Sequence, residues 1–368
     1  MTLGVIATVL SALFLTLMVI ADRLMIGDCF DDKPVDAWIV SSVAGTLLGL
    51  GATALAWVLV SIFSEITISS LLNVLYQLAV PYGLLILSAG VLSILTLKYY
   101  FQCFSVGGES TAIAGWLAAT PIFVLTIVSV IWQLQVNFAF LDSVYLESIN
   151  TSVDFVVLSI IATLALIAFE IFTNSSDSVE KRGNYVLPLA LMVIFNATYA
   201  VIIHISISNA IQFINAPDYT ILLGVLPYYW LGFTIGMIPL LSASVRSTFQ
   251  DSWNVRIYRY LPAVLATEVI GMLVFFTEFF GLGTLDPTFV SVIIGSHIVA
   301  VYATMKYLSL VRNRLEAANH GQLSIFGMSI STHRLPVYRF SLLYLLGETF
   351  ILLTITAAIY NLTIVALL

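Results

Sequence analysis

Charge is the scarcest property of this chain: Asp, Glu, Lys and Arg make up 9% of its 368 residues, against about 25% in a soluble domain. That shortage excludes a solvated globular fold. With a formal net charge of -7 and no basic stripe, the chain offers no surface for nucleic acid. Two cysteines, Cys29 and Cys103, are too few and too far apart in sequence for a disulfide or zinc framework. Catalytic grammar is missing as well: there is no glycine-rich phosphate loop, no HExxH and no GxSxG. No enzyme, cofactor or metal centre is therefore expected. Without an ATP-binding signature, any uphill movement of a solute would draw on a gradient.

What the chain does have is apolar sequence in long runs. Hydrophobic residues are 60% of the total, and a helix needs about 20 residues to cross hydrocarbon. Run lengths and the turn residues bounding them predict ten spans: 1–20, 36–63, 80–101, 111–134, 154–172, 187–207, 219–245, 261–280, 288–311 and 338–368. The first lacks the basic n-region of a signal peptide and is long for an h-region, although Val19-Ile20-Ala21 loosely suits a cleavage site. It is read as a retained span.

All 13 Lys and Arg residues fall in alternate gaps or in the span ends that border them. Arg23 and Lys33 follow span one, Lys98 ends span three, and Lys181 and Arg182 follow span five. Arg246, Arg256 and Arg259 follow span seven, while Lys306, Arg312, Arg314, Arg334 and Arg339 belong to the gap after span nine. The remaining gaps hold acids only, among them Glu65, Asp142, Glu147, Asp218 and Asp286. Because basic loops stay on the cytoplasmic side, the pattern predicts a multi-pass protein of the plasma (inner) membrane with both termini outside.

A repeat accompanies the charge pattern. Gly45-x-x-x-Gly49 recurs as Gly232-x-x-x-Gly236, 187 positions later. The run from Tyr99 to Pro121 aligns with Phe275 to His297 at an offset of 176, matching Phe104 to Phe280, Gly107 to Gly283 and Gln102 to Glu278. Glu170 and Glu348 match at 178. These matches predict an all-α integral membrane protein of ten transmembrane helices in two five-helix repeats, 1–172 and 187–368, joined by a polar linker at 173–186. Five is odd, so the second repeat is inverted relative to the first, a recurrent transporter design. The GxxxG glycines themselves are read as close helix packing.

Two stretches carry a family resemblance. They are Asp22-Arg23-Leu24-Met25 after the first span, and the run from Tyr99-Tyr100-Phe101 through Glu109-Ser110 to Thr120-Pro121-Ile122-Phe123. The chain resembles the EamA-like branch of the drug/metabolite transporter superfamily, in which span three runs into span four through small residues and span four carries a proline. The likeness covers nearly the whole chain in architecture, and the second stretch carries most of its motif character. His297 stands where the second half would align its proline, and the gap from Arg312 to Val337 is long for the family. Family members carry both termini in the cytoplasm, opposite to the charge reading. The resemblance implies a central cavity among spans three, four, eight and nine, lined by Gln102 and Trp116, with Glu170 and Glu348 on peripheral helices.

Ionisable residues inside spans are expensive and default to functional candidates. Glu268 lies about 10 Å into span eight between apolar neighbours. It reads as a proton carrier or, equally, as a glutamate hydrogen-bonded to a neighbouring helix. His297, midway along span nine beside Gly295 and Ser296, reads as a substrate or proton relay group or as a neutral, hydrogen-bonded histidine. His204 and Asn196 share a face of span six, where packing is the favoured reading. Glu109 and Glu278 sit near span ends. The acidic loop around Asp28, Asp31 and Asp32 lacks EF-hand spacing, and Asp36 suits an N-cap. The gap from Arg312 to Arg339 reads as a segment on the anionic inner leaflet or as a plain loop.

The expectation is a secondary transporter exporting a small metabolite by alternating access, with a proton as the candidate coupling ion. Its partners would be the solute and membrane lipids. The alternative is a non-transporting scaffold or an accessory to a lipid-head-group flippase.

Overall fold

A computed structural model describes residues 2–30, 34–64, 66–105, the pairs 113–114, 116–117, 120–121, 123–124 and 126–127, and residues 179–238, 256–285, 287–317, 322–325 and 328–331. Spans five and ten of the sequence reading lie outside these residues, as do Glu109, Glu170 and Glu348. The described chain is helical apart from one short hairpin. Its helices are α1 (Thr2–Cys29), α2 (Pro34–Phe63), α3 (Ile68–Leu78), α4 (Leu84–Ser105), α5 (Val179–Phe213), α6 (Asp218–Gly236), α7 (Arg256–Thr284), α8 (Pro287–Gly295) and α9 (His297–Ala317). The hairpin pairs β1 (Gln322–Ile325) with β2 (Met328–Ser331), antiparallel.

Among the described residues, seven stretches are long and apolar enough to cross a membrane: Leu3–Ile26, Val35–Phe63, Leu84–Phe104, Leu187–Phe213, Asp218–Gly236, Leu261–Thr284 and Phe289–Ala317. The protein is a multi-pass helical membrane protein. Helices meet the main demand of that environment, since each satisfies its own backbone groups. Buried hydroxyls follow the same logic by bonding back one turn: Thr8 to the Gly4 carbonyl, Thr16 to Ala12, Ser42 to Trp38 and Thr53 to Gly49.

Several boundaries differ from the sequence reading. Helix α1 runs on to Cys29, so Asp22 and Arg23 lie inside the helix and not beyond it. An extra helix, α3, occupies part of the gap expected between spans two and three. Thr67 caps it through the Ser70 amide, and Leu71, Val74 and Leu78 are buried. Between α3 and α4, Val80 is extended because the following Pro81 disfavours a helical predecessor. Helix α5 begins at Val179, within the stretch read as linker. Span nine is interrupted at Ser296, which separates α8 from α9.

Contacts fix the helix directions. Along α1 and α7, Gly4 meets Thr284, Thr8 meets Gly281, Met18 meets Gly271 and Met25 meets Thr267, so the pair is antiparallel. Helices α2 and α6 are also antiparallel, through Thr46 with Met237, Thr53 with Trp230 and Trp57 with Leu223. Helix α4 runs parallel to α6, since Gly83 packs on Tyr228, Leu87 on Gly232 and Ile94 on Gly236. In the same way α5 runs with α7, through His204 at Leu282 and Ile207 at Gly283. Gly281 touches Thr8 and Val290, and Thr16 approaches His297, so α8–α9 runs with α1.

Those directions bring the ends of α1, α4, α6 and α9 together with the starts of α5 and α7. Every basic position in the described helices lies toward that end of the bundle: Arg23, Lys98, Lys181, Arg182, Arg256, Arg259, Lys306, Arg312 and Arg314. The core is aromatic. Tyr229 and Trp230 are almost fully buried, Tyr229 stacks on Phe275 with centroids 4.4 Å apart, and Phe233 and Phe279 close the cluster.

Candidate functional site

Polar side chains gather where α1, α2, α4 and α7 meet. Asp22 and Arg23 interrupt an apolar run that resumes at Leu24-Met25-Ile26, so the helix continues and carries the aspartate onto a packed face. Asp22 is 4% exposed. From α4, the Tyr100 hydroxyl donates to Asp22 Oδ2 at 3.0 Å. Glu268, on α7, lies within electrostatic reach of both Asp22 and Tyr100 and remains half-buried. The antiparallel register of α1 and α7 makes this meeting possible, because Met18 opposite Gly271 and Met25 opposite Thr267 bracket it.

Helix α2 gives the carboxyl room. At Gly45 an added Cβ would stand 3.2 Å from Glu268 Oε2. One turn earlier, Ser41 comes beside the same carboxyl without reaching hydrogen-bond geometry; its Oγ is buried and has no partner. The buried Cys103 lies within electrostatic reach of Tyr100. Neither Asp22 nor Glu268 forms an ion pair among the described residues. Lys98, close by in sequence, is turned onto the rings of Trp38 and Tyr99, 5.9 and 5.6 Å from their centroids.

A second acid and tyrosine meet farther along α7. Glu278 lies within electrostatic reach of Tyr199 on α5 and of Tyr229 on α6, and Tyr229 donates to Ser93 Oγ at 2.8 Å. Asp22 and Tyr199 stand 177 positions apart, Tyr100 and Glu278 178.

The other sequence candidates lie elsewhere. His204 is satisfied at both nitrogens, by the Leu282 carbonyl at 2.7 Å and Ser208 Oγ at 3.2 Å, which favours the packing reading. His297 is 2% exposed at the break between α8 and α9. Its Nδ1 is 2.8 Å from the Ile294 carbonyl and its Nε2 has no partner. Gln102 is half-buried on α4, and Asn196 is half-buried on α5. Trp116 is buried with an unpartnered Nε1. No group of three His, Cys, Asp or Glu side chains placed to hold a metal occurs among the described residues.

Sequence reasoning found Glu268 but treated Asp22 only as part of a family stretch. The signal it passed over was the apolar run resuming beyond Arg23. Tyr100, Ser41 and Tyr199 carry no comparable signal, since hydroxyls are unremarkable in such helices.

Fold and site together define a multi-pass helical membrane protein in which Asp22 and Glu268 approach each other within the bundle and have no ion-pair partner among the described residues. No family model matches the chain, and no curated protein does. A protein known from its crystal structure is similar in fold, with 14% sequence identity, 96% of each chain covered and a TM-score of 0.50. At that identity the likeness concerns the fold alone.

Proposed function

We propose that this protein is a secondary transporter that exports a small metabolite across the plasma membrane by alternating access. The observation that carries the reading is the Asp22–Glu268 pair. Acids held inside a membrane are costly and mark ion or substrate pathways, and this pair bridges α1 and α7, one from each half of the chain.

Helix directions support the inverted ten-span arrangement. Helices α1 and α5 run oppositely, as do α2 and α6, and α4 and α7. Packing is reciprocal too: α1 packs most extensively on α7, and α4 on α5. Helix α4 ends and α5 starts at the same end of the bundle. An even number of crossings must therefore separate them, which the spans expected at 111–134 and 154–172 supply. The EamA resemblance belongs to the same proposal, with Glu268 as the site of a coupling proton and both termini outside.

The test compares small-molecule profiles of medium and cytosol in cells expressing wild type or Glu268→Gln. The proposal expects a solute displaced by wild type and not by the variant. Equal displacement by both would remove Glu268 from the mechanism, and profiles matching empty cells would count against export.

A further inference from the structure

We infer that the space between Asp22, Glu268 and Ser41 binds the protonated amine of an organic monovalent cation, making amines the substrate class. The inference rests on the transport reading for the word substrate; the binding site itself stands on geometry.

Charge is the first argument. Two carboxyls at close quarters in a low-dielectric interior repel each other and are expensive to keep, and the described residues supply no basic partner. A cation entering from outside would relieve both costs. Lys98 does not serve, because its ammonium is committed to the Trp38 and Tyr99 rings.

The second argument is the unpartnered Ser41 hydroxyl, buried beside Glu268. An ammonium carries three donors, and the site presents three acceptor groups on three different helices. Asp22 Oδ2 already accepts from Tyr100, which holds that carboxylate in one orientation for an incoming donor. A divalent metal would need more ligands than the cluster provides.

Aromatic surroundings give the third argument. Phe101 and Phe104 stand edge-on to Tyr100, with centroids 5.4 and 5.1 Å away. Rings of this kind attract organic ammonium groups, and the adjoining Trp38 and Tyr99 already hold one in Lys98. A carboxylate solute would face two acids and be rejected.

The test uses the full-length protein in nanodiscs of neutral lipid, with phenethylamine and phenylacetate as probes of equal shape and opposite charge. Thermal midpoints are followed as each probe is titrated, and again with sodium chloride alone. The expected result is stabilisation by phenethylamine and none by phenylacetate, with binding weakened about tenfold or more in Glu268→Gln, a loss typical of a hydrogen bond to a charged group. Ser41→Ala, a smaller change, should weaken it less. The probe comparison in wild type needs no variant to fold. Failure of the amine to stabilise wild type, equal stabilisation of Glu268→Gln, or stabilisation by sodium in place of the amine would each overturn the inference. Export of an anionic or neutral solute that depends on Glu268 would leave transport standing and remove the amine class. Amine binding without flux would do the reverse.

Discussion

One hydrogen bond, from the Tyr100 phenol to Asp22 Oδ2 at 3.0 Å, ties α4 to α1 inside the apolar bundle. Tyr100→Phe removes the donor and leaves the carboxyl less satisfied, at a cost of about 1–3 kcal/mol. Thermal melts of Tyr100→Phe, Asp22→Asn and the double variant should show coupling, the double losing less than the two singles combined. Simple additivity would mean that the bond contributes nothing.

Two glycines separate packing from propensity. At Gly232 a Cβ would collide with the backbone of Leu87, whereas nothing lies within 4 Å of one at Gly51. Gly232→Ala should lower stability by about 1–3 kcal/mol through overpacking. Gly51→Ala should leave it unchanged or raise it slightly. Monodispersity and melting temperature of the two purified variants decide the matter.

His204 and Glu268 should behave oppositely. His204→Ala strands the Leu282 carbonyl and Ser208, costing about 1–3 kcal/mol, while the folded fraction still moves solute. Glu268→Gln should melt as high as wild type and move none. Folded yield and solute flux, measured on the same preparations, separate the two effects.

The indole of Trp230 donates to Thr53 Oγ1 at 3.0 Å between α6 and α2. Thr53→Val keeps the shape and deletes the acceptor, leaving a buried N–H orphaned for about 1–3 kcal/mol. A reduced melting temperature with a shifted tryptophan emission maximum is expected. An unchanged melt would mean that water or another acceptor replaces the threonine.

Seven of the ten expected spans have counterparts among the described residues, and these were legible because hydrocarbon thickness imposes a characteristic run length. Their ends were less so. Asp22-Arg23 looks like an exit from the membrane until Tyr100, 78 positions later, supplies the aspartate with a partner. Helix α3, with Ser69, Ser70, Asn73 and Gln77, is too short and polar to register as a span, yet its apolar side packs against Gly224 of α6. Glu268 announced itself through apolar neighbours along the chain. Its companions could not, because they come from three other helices and only the packed bundle brings them together.

The crossing of α4 and α6 has a mechanical meaning. Gly90 lies against the Tyr229 carbonyl and Gly232 against the Leu87 carbonyl, main chain on main chain. With no side chain to flex between them, the two helices are held at a fixed separation there. In the proposed transport cycle such a joint would serve as a fulcrum. In the proposed cycle, parting the helices at the basic end would draw them together at the other, so one rotation would open one door and shut its opposite.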